Sequence, residues 1–172
     1  MVPFSIIFVG EFCVTIYSIG SEMAAGVENV YMYDVHVEDC HTAIYFKSNL
    51  DRGGFIRNVW VNNVTSNHVR TAFIRFENNY HGGRGGFHPT TFENFTLKNI
   101  HGNNSDDCGF YAVGVEGYPI KNVVLENVTF EKTEVPYVLL NAEDIHFNNV
   151  TINGELLPEV PETTEMISLK LM

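Results

Sequence analysis

Two acidic couples are the residues of this chain best placed by type to do chemistry. Glu38-Asp39 stands directly before Cys40, and Asp106-Asp107 directly before Cys108. Two carboxyls held close together do not ionise independently. The environment pushes their pKa values apart and leaves one as proton donor and the other as base. Asp39, Asp106 and Asp107 are therefore the candidate catalytic acids. The same letters also suit solvated turn residues that begin a strand, and that alternative stays open here. His41 follows the first couple, as a proton relay or as a solvated turn residue.

The cations are unevenly placed. No Lys or Arg precedes Lys47, and six of the ten fall between 47 and 84: Lys47, Arg52, Arg57, Arg70, Arg75 and Arg84. A basic stretch inside a chain of formal charge −11 suits an anion, small or polymeric, held at one place. Surface arginines on long loops would give the same stretch. Asp51 and Arg52 could instead pair with each other and hold a turn. The overall negative charge argues against duplex nucleic acid and anionic membrane as partners. Three cysteines (Cys13, Cys40, Cys108) close no disulfide framework, and neither they nor the seven histidines show metal-ligand spacing, so no metal and no cofactor are expected.

These residues must be positioned by repeated elements. With 172 residues and 45% hydrophobic content the chain can bury one core. One pattern recurs: apolar, any, Asn, apolar, any, apolar, any, Asn or Asp, apolar. It runs over Val27–Val35, Ile56–Val64, Phe92–Ile100, Ile120–Val128 and, with Asp144 in the first polar place, Ala142–Val150. The second polar position steps through 34, 63, 99, 127 and 149, at intervals of 29, 36, 28 and 22 residues. Each copy alternates with period two, so each is a strand with one buried face. A second class of strand lies between copies: Thr15–Ser21, Ala43–Ser48, Ala72–Glu77, Phe110–Val115 and Tyr137–Asn141.

The expected fold is all-β: a right-handed parallel β-helix, a β-solenoid of five to six coils, truncated at the N-terminal side. It covers residues 1–153, and 154–172 read as a linker with a last short strand. The repeated Asn should sit at coil corners and stack as a ladder. Asn63, Asn94, Asn127 and Asn149 also fit the glycosylation acceptor pattern, but they fall on the repeat, which favours the structural role. The long interval between 63 and 99 predicts an inserted loop, the Gly-rich Tyr80–Pro89. By rung spacing, the two acidic couples should share a face two rungs apart, about 9–10 Å.

Two stretches resemble a known family. One is Tyr17-Ser18-Ile19-Gly20-Ser21-Glu22 followed by Gly26-Val27-Glu28-Asn29-Val30. The other is Ala43-Ile44-Tyr45-Phe46-Lys47-Ser48 followed by Asp51-Arg52-Gly53-Gly54-Phe55-Ile56-Arg57-Asn58-Val59. Both resemble the pectin-degrading glycoside hydrolases of family 28, the polygalacturonases, and the similarity runs from about residue 14 to about 153. The resemblance covers the C-terminal half of such an enzyme. It implies an acidic polysaccharide substrate, polygalacturonate or pectin, cut at α-1,4-galacturonosyl linkages by an inverting pair of carboxylates. It also implies a secreted or periplasmic setting. A non-catalytic galacturonan-binding solenoid is the alternative. The family's Asn-Thr-Asp and Asp-Asp motifs lie upstream of the Ser-Ile-Gly strand and are absent here. Its Gly-His-Gly corresponds to Val14-Thr15-Ile16, and its Arg-Ile-Lys to Tyr45-Phe46-Lys47. On this likeness Lys47 takes a uronate carboxylate and Tyr80 packs on a sugar ring or pins its loop onto the solenoid; His41, Arg52 and Arg75 are the further candidate substrate-binding residues. The apolar Met1–Gly10 lacks the basic start of a signal peptide and reads as a strand that caps the first coil or pairs with a second subunit, so a homo-oligomer through that end is expected.

Overall fold

A computed structural model describes residues 6–8 and 13–164. Ten strands make up one sheet that winds on itself: β1 (Ile6–Phe8), β2 (Cys13–Ile19), β3 (Val27–Lys47), β4 (Phe55–Glu77), β5 (Thr91–Ser105), β6 (Cys108–Val113), β7 (Ile120–Lys132), β8 (Val135–Leu140), β9 (Ala142–Ile152) and β10 (Glu155–Leu156). No helix occurs among the described residues. All pairings between these strands but β9–β10 are parallel, and the chain forms a right-handed parallel β-helix. Ile6, Val35, Val64, Ile100, Val128 and Val150 follow one another as register partners across successive rungs.

The repeat explains this winding. Inward positions of each copy stack apolar on apolar: Val35, Val64, Val128 and Val150 are almost fully buried. On the second face Phe46, Phe76, Ala112 and Leu139 form another inward column. Phe76 packs edge-on against Phe95, with centroids 4.8 Å apart, so the two faces meet in one core. Each fully buried Phe of this kind contributes about 1.5–3 kcal/mol.

The corners are made by the polar positions. Asn29, Asn58, Asn94 and Asn122 take the left-handed conformation, as do Asp34, Asn63, Asn99, Asn127 and Asn149. Asn tolerates it better than branched residues because its short side chain bonds locally. Their amides form two ladders. Asn58 donates to Asn29 at 3.3 Å, Asn94 to Asn58 at 3.1 Å and Asn122 to Asn94 at 2.8 Å. Asn63 donates to Asp34 at 2.7 Å, Asn99 to Asn62 at 2.8 Å, Asn127 to Asn99 at 3.2 Å and Asn149 to Asn127 at 2.9 Å.

One detail differs from the sequence reading. The two strand classes are not separate in the early coils: β3 runs for 21 residues and β4 for 23, straight through the corners. A single left-handed residue bends a strand without removing it from the ladder. Separation appears later, at Asp106-Asp107 between β5 and β6 and at Thr133-Glu134 between β7 and β8.

The inserted loop folds back on the turn before β4. Asp51 accepts the Arg84 N–H at 2.6 Å and the Gly86 N–H at 2.8 Å, and the His88 N–H bonds the Leu50 carbonyl at 2.6 Å. After β9 the chain turns back along the last coil: the Phe147 N–H bonds the Glu159 carbonyl and the Thr164 N–H bonds that of Leu139. Of the Met1–Gly10 segment only Ile6–Phe8 is described, pairing with Val35–Val37; the rest of that reading, and residues 165–172, lie outside the described residues.

Candidate functional site

Outward positions of the second face line a cleft of about 710 Å³. Two register pairs contribute to it: Tyr45 with Arg75, in the column Ser18, Tyr45, Arg75, Tyr111 and Val138, and Lys47 with Glu77, in the column Lys47, Glu77, Val113 and Leu140. Gly20 makes room beside Lys47: a Cβ there would come within 1.7 Å of the Lys47 carbonyl oxygen, and its φ is +100°. Where β3 meets β4 the register shifts between Cys40 and Thr42, so three residues of β4 match two of β3. This bulge re-aims side chains. His41, Thr42, Arg70 and Thr71 all reach the cleft wall, and the Thr42 and Thr71 hydroxyls meet at 2.7 Å.

Lys47 sits between two rings, with its Nζ 4.8 Å from the centre of Tyr45 and 4.6 Å from that of Tyr80. Those rings meet edge-on at 6.0 Å. Lys47 has no carboxylate partner among the described residues. Arg75 lies one rung on, with Glu77 taking its Nε at 3.2 Å and its Nη2 at 3.1 Å. Asp107 and Glu134 also line the cleft. They precede Cys108 and Val135, which are register partners, so the two carboxyls stand on adjacent rungs. Burial pushes the Asp107 carboxyl above its ordinary value and the Glu134 charge adds to that, against the opposing pull of Arg75. His41 is shifted down, first by burial and then by Arg75, Arg70 and Lys47, which favours the neutral imidazole. No group of three or more His, Cys, Asp or Glu among the described residues is arranged to hold a metal ion.

Lys47, Tyr80, His41, Arg75 and Asp107 thus line one cleft. Asp39, Asp106 and Arg52 do not. His68 stands between the two acids, Nδ1 3.3 Å from Asp39 and Nε2 3.0 Å from Asp106. Arg70 holds the other Asp39 oxygen at 2.6 Å. Both carboxylates are thus engaged by His68, and Asp39 by Arg70 as well. Asp106 and Asp107 are neighbours in the bend between β5 and β6, but Asp106 turns to His68 and Asp107 into the cleft, so they do not serve as one pair. Arg52 is paired with Glu22 rather than with Asp51, whose oxygens are taken by the loop backbone. Sequence reading missed Glu134, Tyr45, Glu77 and Tyr111. For Glu134 the only signal was its place before a second-face strand, matching that of Asp107, and this needs the register to be seen.

The model of the glycosyl hydrolases family 28 matches residues 5–142. A probable polygalacturonase of Vitis vinifera is 23% identical over 165 residues, covering 90% of this chain and 34% of the relative. A polygalacturonase of Ralstonia nicotianae is 28% identical over 127 residues, covering 68% of this chain and 24% of the relative. The crystal structure of a hyperthermoactive exopolygalacturonase from Thermotoga maritima superposes with a TM-score of 0.78 at 22% identity, over 83% of this chain and 32% of that one. The chain therefore spans about a third or less of each of these proteins.

Proposed function

The chain belongs to the glycosyl hydrolases of family 28, and from that premise we propose that it acts on galacturonan as a pectin-directed glycosidase. The observation that carries this reading is the Lys47 ammonium: flanked by Tyr45 and Tyr80, without a carboxylate partner among the described residues, and in one cleft with Asp107. An ammonium beside aromatic rings suits a sugar that carries its own carboxylate. The partly exposed Tyr80 ring offers an apolar face and the cation a point charge.

For the chemistry, the raised carboxyl of Asp107 suits a general acid. In this proposal it gives its proton to the glycosidic oxygen as the C1–O bond breaks. Glu134 accepts a proton from the water that attacks C1 from the opposite face. Inversion needs carboxyls about 6.5–9.5 Å apart. Side chains leaving adjacent rungs, about 4.8 Å apart at the backbone, reach that separation only by diverging. His41, kept neutral, is placed to pass a proton along the cleft wall.

A second reading is binding without cleavage. Two observations favour it: Asp39 and Asp106 are locked onto His68, and Val14 and Thr15 line the cleft where the family resemblance puts a histidine. Release of reducing ends from polygalacturonate separates the two. The expected result is release by wild type that falls by about a hundredfold or more in Asp107→Asn, falls also in Glu134→Gln, and persists in Asp106→Asn. Salt-sensitive retention on the polymer with no release selects the binding protein. Release undiminished in Asp107→Asn removes the acid assignment.

A further inference from the structure

We propose that His68 is the positioning residue of Asp107: its ring, protonated on both nitrogens, clasps Asp39 and Asp106 across three successive coils and so fixes which carboxyl of the Asp106-Asp107 couple enters the cleft. The inference rests on the reading of Asp107 as the acid and adds the group that aims it.

Asp106 and Asp107 are the whole link between Ser105, the last residue of β5, and Cys108, the first of β6. They carry the same side chain, so residue type does not decide which of them faces the cleft. Their surroundings do. Asp107 lines the cleft with Arg75 and Glu134, and its carbonyl accepts the Val135 N–H at 2.8 Å. The Asp106 N–H bonds the Val69 carbonyl at 3.0 Å, and its carboxylate meets His68 Nε2, also at 3.0 Å. The Asn104 amide reaches the same oxygen at the longer 3.4 Å. His68 is the group that draws Asp106 away from the cleft.

His68 also joins the coils. It lies on β4, in register with Asp39 of β3 on one side and with Asn104 of β5 on the other. Nδ1 faces Asp39 at 3.3 Å while Nε2 faces Asp106. An ionised carboxylate only accepts, so each ring nitrogen suits its partner only when it carries a proton. Both carry one only in the imidazolium; a neutral ring offers one N–H and turns a lone pair to the other carboxylate. Asp39 accepts Arg70 Nη2 at 2.6 Å as well, and Arg70 lines the cleft, so the clasp touches a second part of its wall. The charged groups about the ring are Asp39 on β3, Arg70 on its own strand and Asp106 on the bend; Lys132 of β7 lies beyond Asn104 in the same column. They hold the ring above the ordinary histidine value, first through the Asp106 bond, against partial desolvation, and then through the Asp39 bond. The stabilisation is complete below the unfolded histidine's pKa and is lost as pH rises through the folded value.

Two measurements on the full chain test this. In the first, nuclear magnetic resonance follows the His68 ring, identified as the signal missing from His68→Ala. Its titration midpoint should fall in Asp106→Ala. A midpoint that does not move overturns the clasp, whether or not the chain cleaves a polymer. In the second, release of reducing ends from polygalacturonate gives kcat and KM well below the melting temperatures. His68→Ala and Asp106→Ala should each lower kcat about tenfold with KM unchanged, since the acid is misaimed while the sugar is still held. The double variant should be no worse than either single one. Asp106→Asn, whose amide oxygen still accepts from Nε2, should restore kcat relative to Asp106→Ala. An unchanged kcat in His68→Ala, beside release lost in Asp107→Asn, removes the positioning role and leaves the acid assignment standing. Wild type that releases nothing overturns the acid assignment, and the positioning role with it.

Discussion

Asn99→Ala tests the corner on which every side-chain grouping described above depends. Asn99 has φ 54°. It donates to Asn62 at 2.8 Å and accepts from Asn127 at 3.2 Å. Alanine removes both amide bonds and puts a Cβ without local compensation into the left-handed region. Exposed bonds of this kind are worth about 0.5 kcal/mol each, and left-handed backbone costs an L-residue about 1–2 kcal/mol. The expected loss is about 2–3 kcal/mol, a large share of the roughly 5–15 kcal/mol available to a domain. In a chain of this size that lowers the melting temperature by about 4–12 °C. Asn99→Gly separates the two effects. Glycine loses the same bonds but accepts the positive φ, so it should cost about 1 kcal/mol less than alanine, even after its greater unfolded-state entropy. Urea unfolding followed by circular dichroism, with equal m-values in the three proteins, measures the difference. Glycine as damaging as alanine would refute the left-handed corner, and no loss in either variant would refute the ladder as a stabilising element.

Four further outcomes follow from the same geometry. Gly102→Ala should destabilise by about 1–3 kcal/mol through overpacking, because its Cβ would fall 2.3 Å from the Phe73 ring, itself stacked 4.4 Å from Phe130; thermal unfolding reads this. Lys47→Met should weaken polygalacturonate binding about tenfold, an ion pair in a partly open cleft being worth about 1 kcal/mol or slightly more, and should flatten its salt dependence in titrations at two ionic strengths. The raised pKa of Asp107 means that the ionised carboxylate disfavours the folded state. The advantage of the neutral form is complete below the unfolded carboxylate's pKa and is lost as pH rises through the folded value. Asp107→Asn should therefore be more stable than wild type at pH 7, with the gap closing in urea titrations near pH 3. Asp51 is held low by the Arg84 and Gly86 backbone N–H groups; Asp51→Ala should free the loop, and trypsin should then cut after Arg84 faster than in wild type.

How much of this was legible without coordinates depends on the kind of interaction. The period-two alternation and the recurring Asn fixed the winding, because a strand must bury one face and a corner needs a residue that accepts positive φ. The same arithmetic located the inserted loop, since the interval of 36 residues exceeds the 22 to 29 that a turn takes elsewhere. Lys47 and Tyr80 could be chosen from motif resemblance, and they share the cleft. The acids could not be chosen that way. Asp39, Asp106 and Asp107 look alike as letters, but their roles depend on which side of the chain each faces and which cation reaches it first. His68 and Arg70 claimed Asp39, and His68 claimed Asp106. Only Asp107 was left to meet Glu134, a residue 27 positions away.

Local pattern therefore determined the path of the backbone, because burial and backbone strain act residue by residue along the chain. The composition of the cleft was decided by register between coils and by the bulge at Cys40–Thr42, which set side chains about 30 residues apart against one another. Those are contacts between distant parts of the chain, and a one-residue shift in pairing would send each of these side chains to the opposite face.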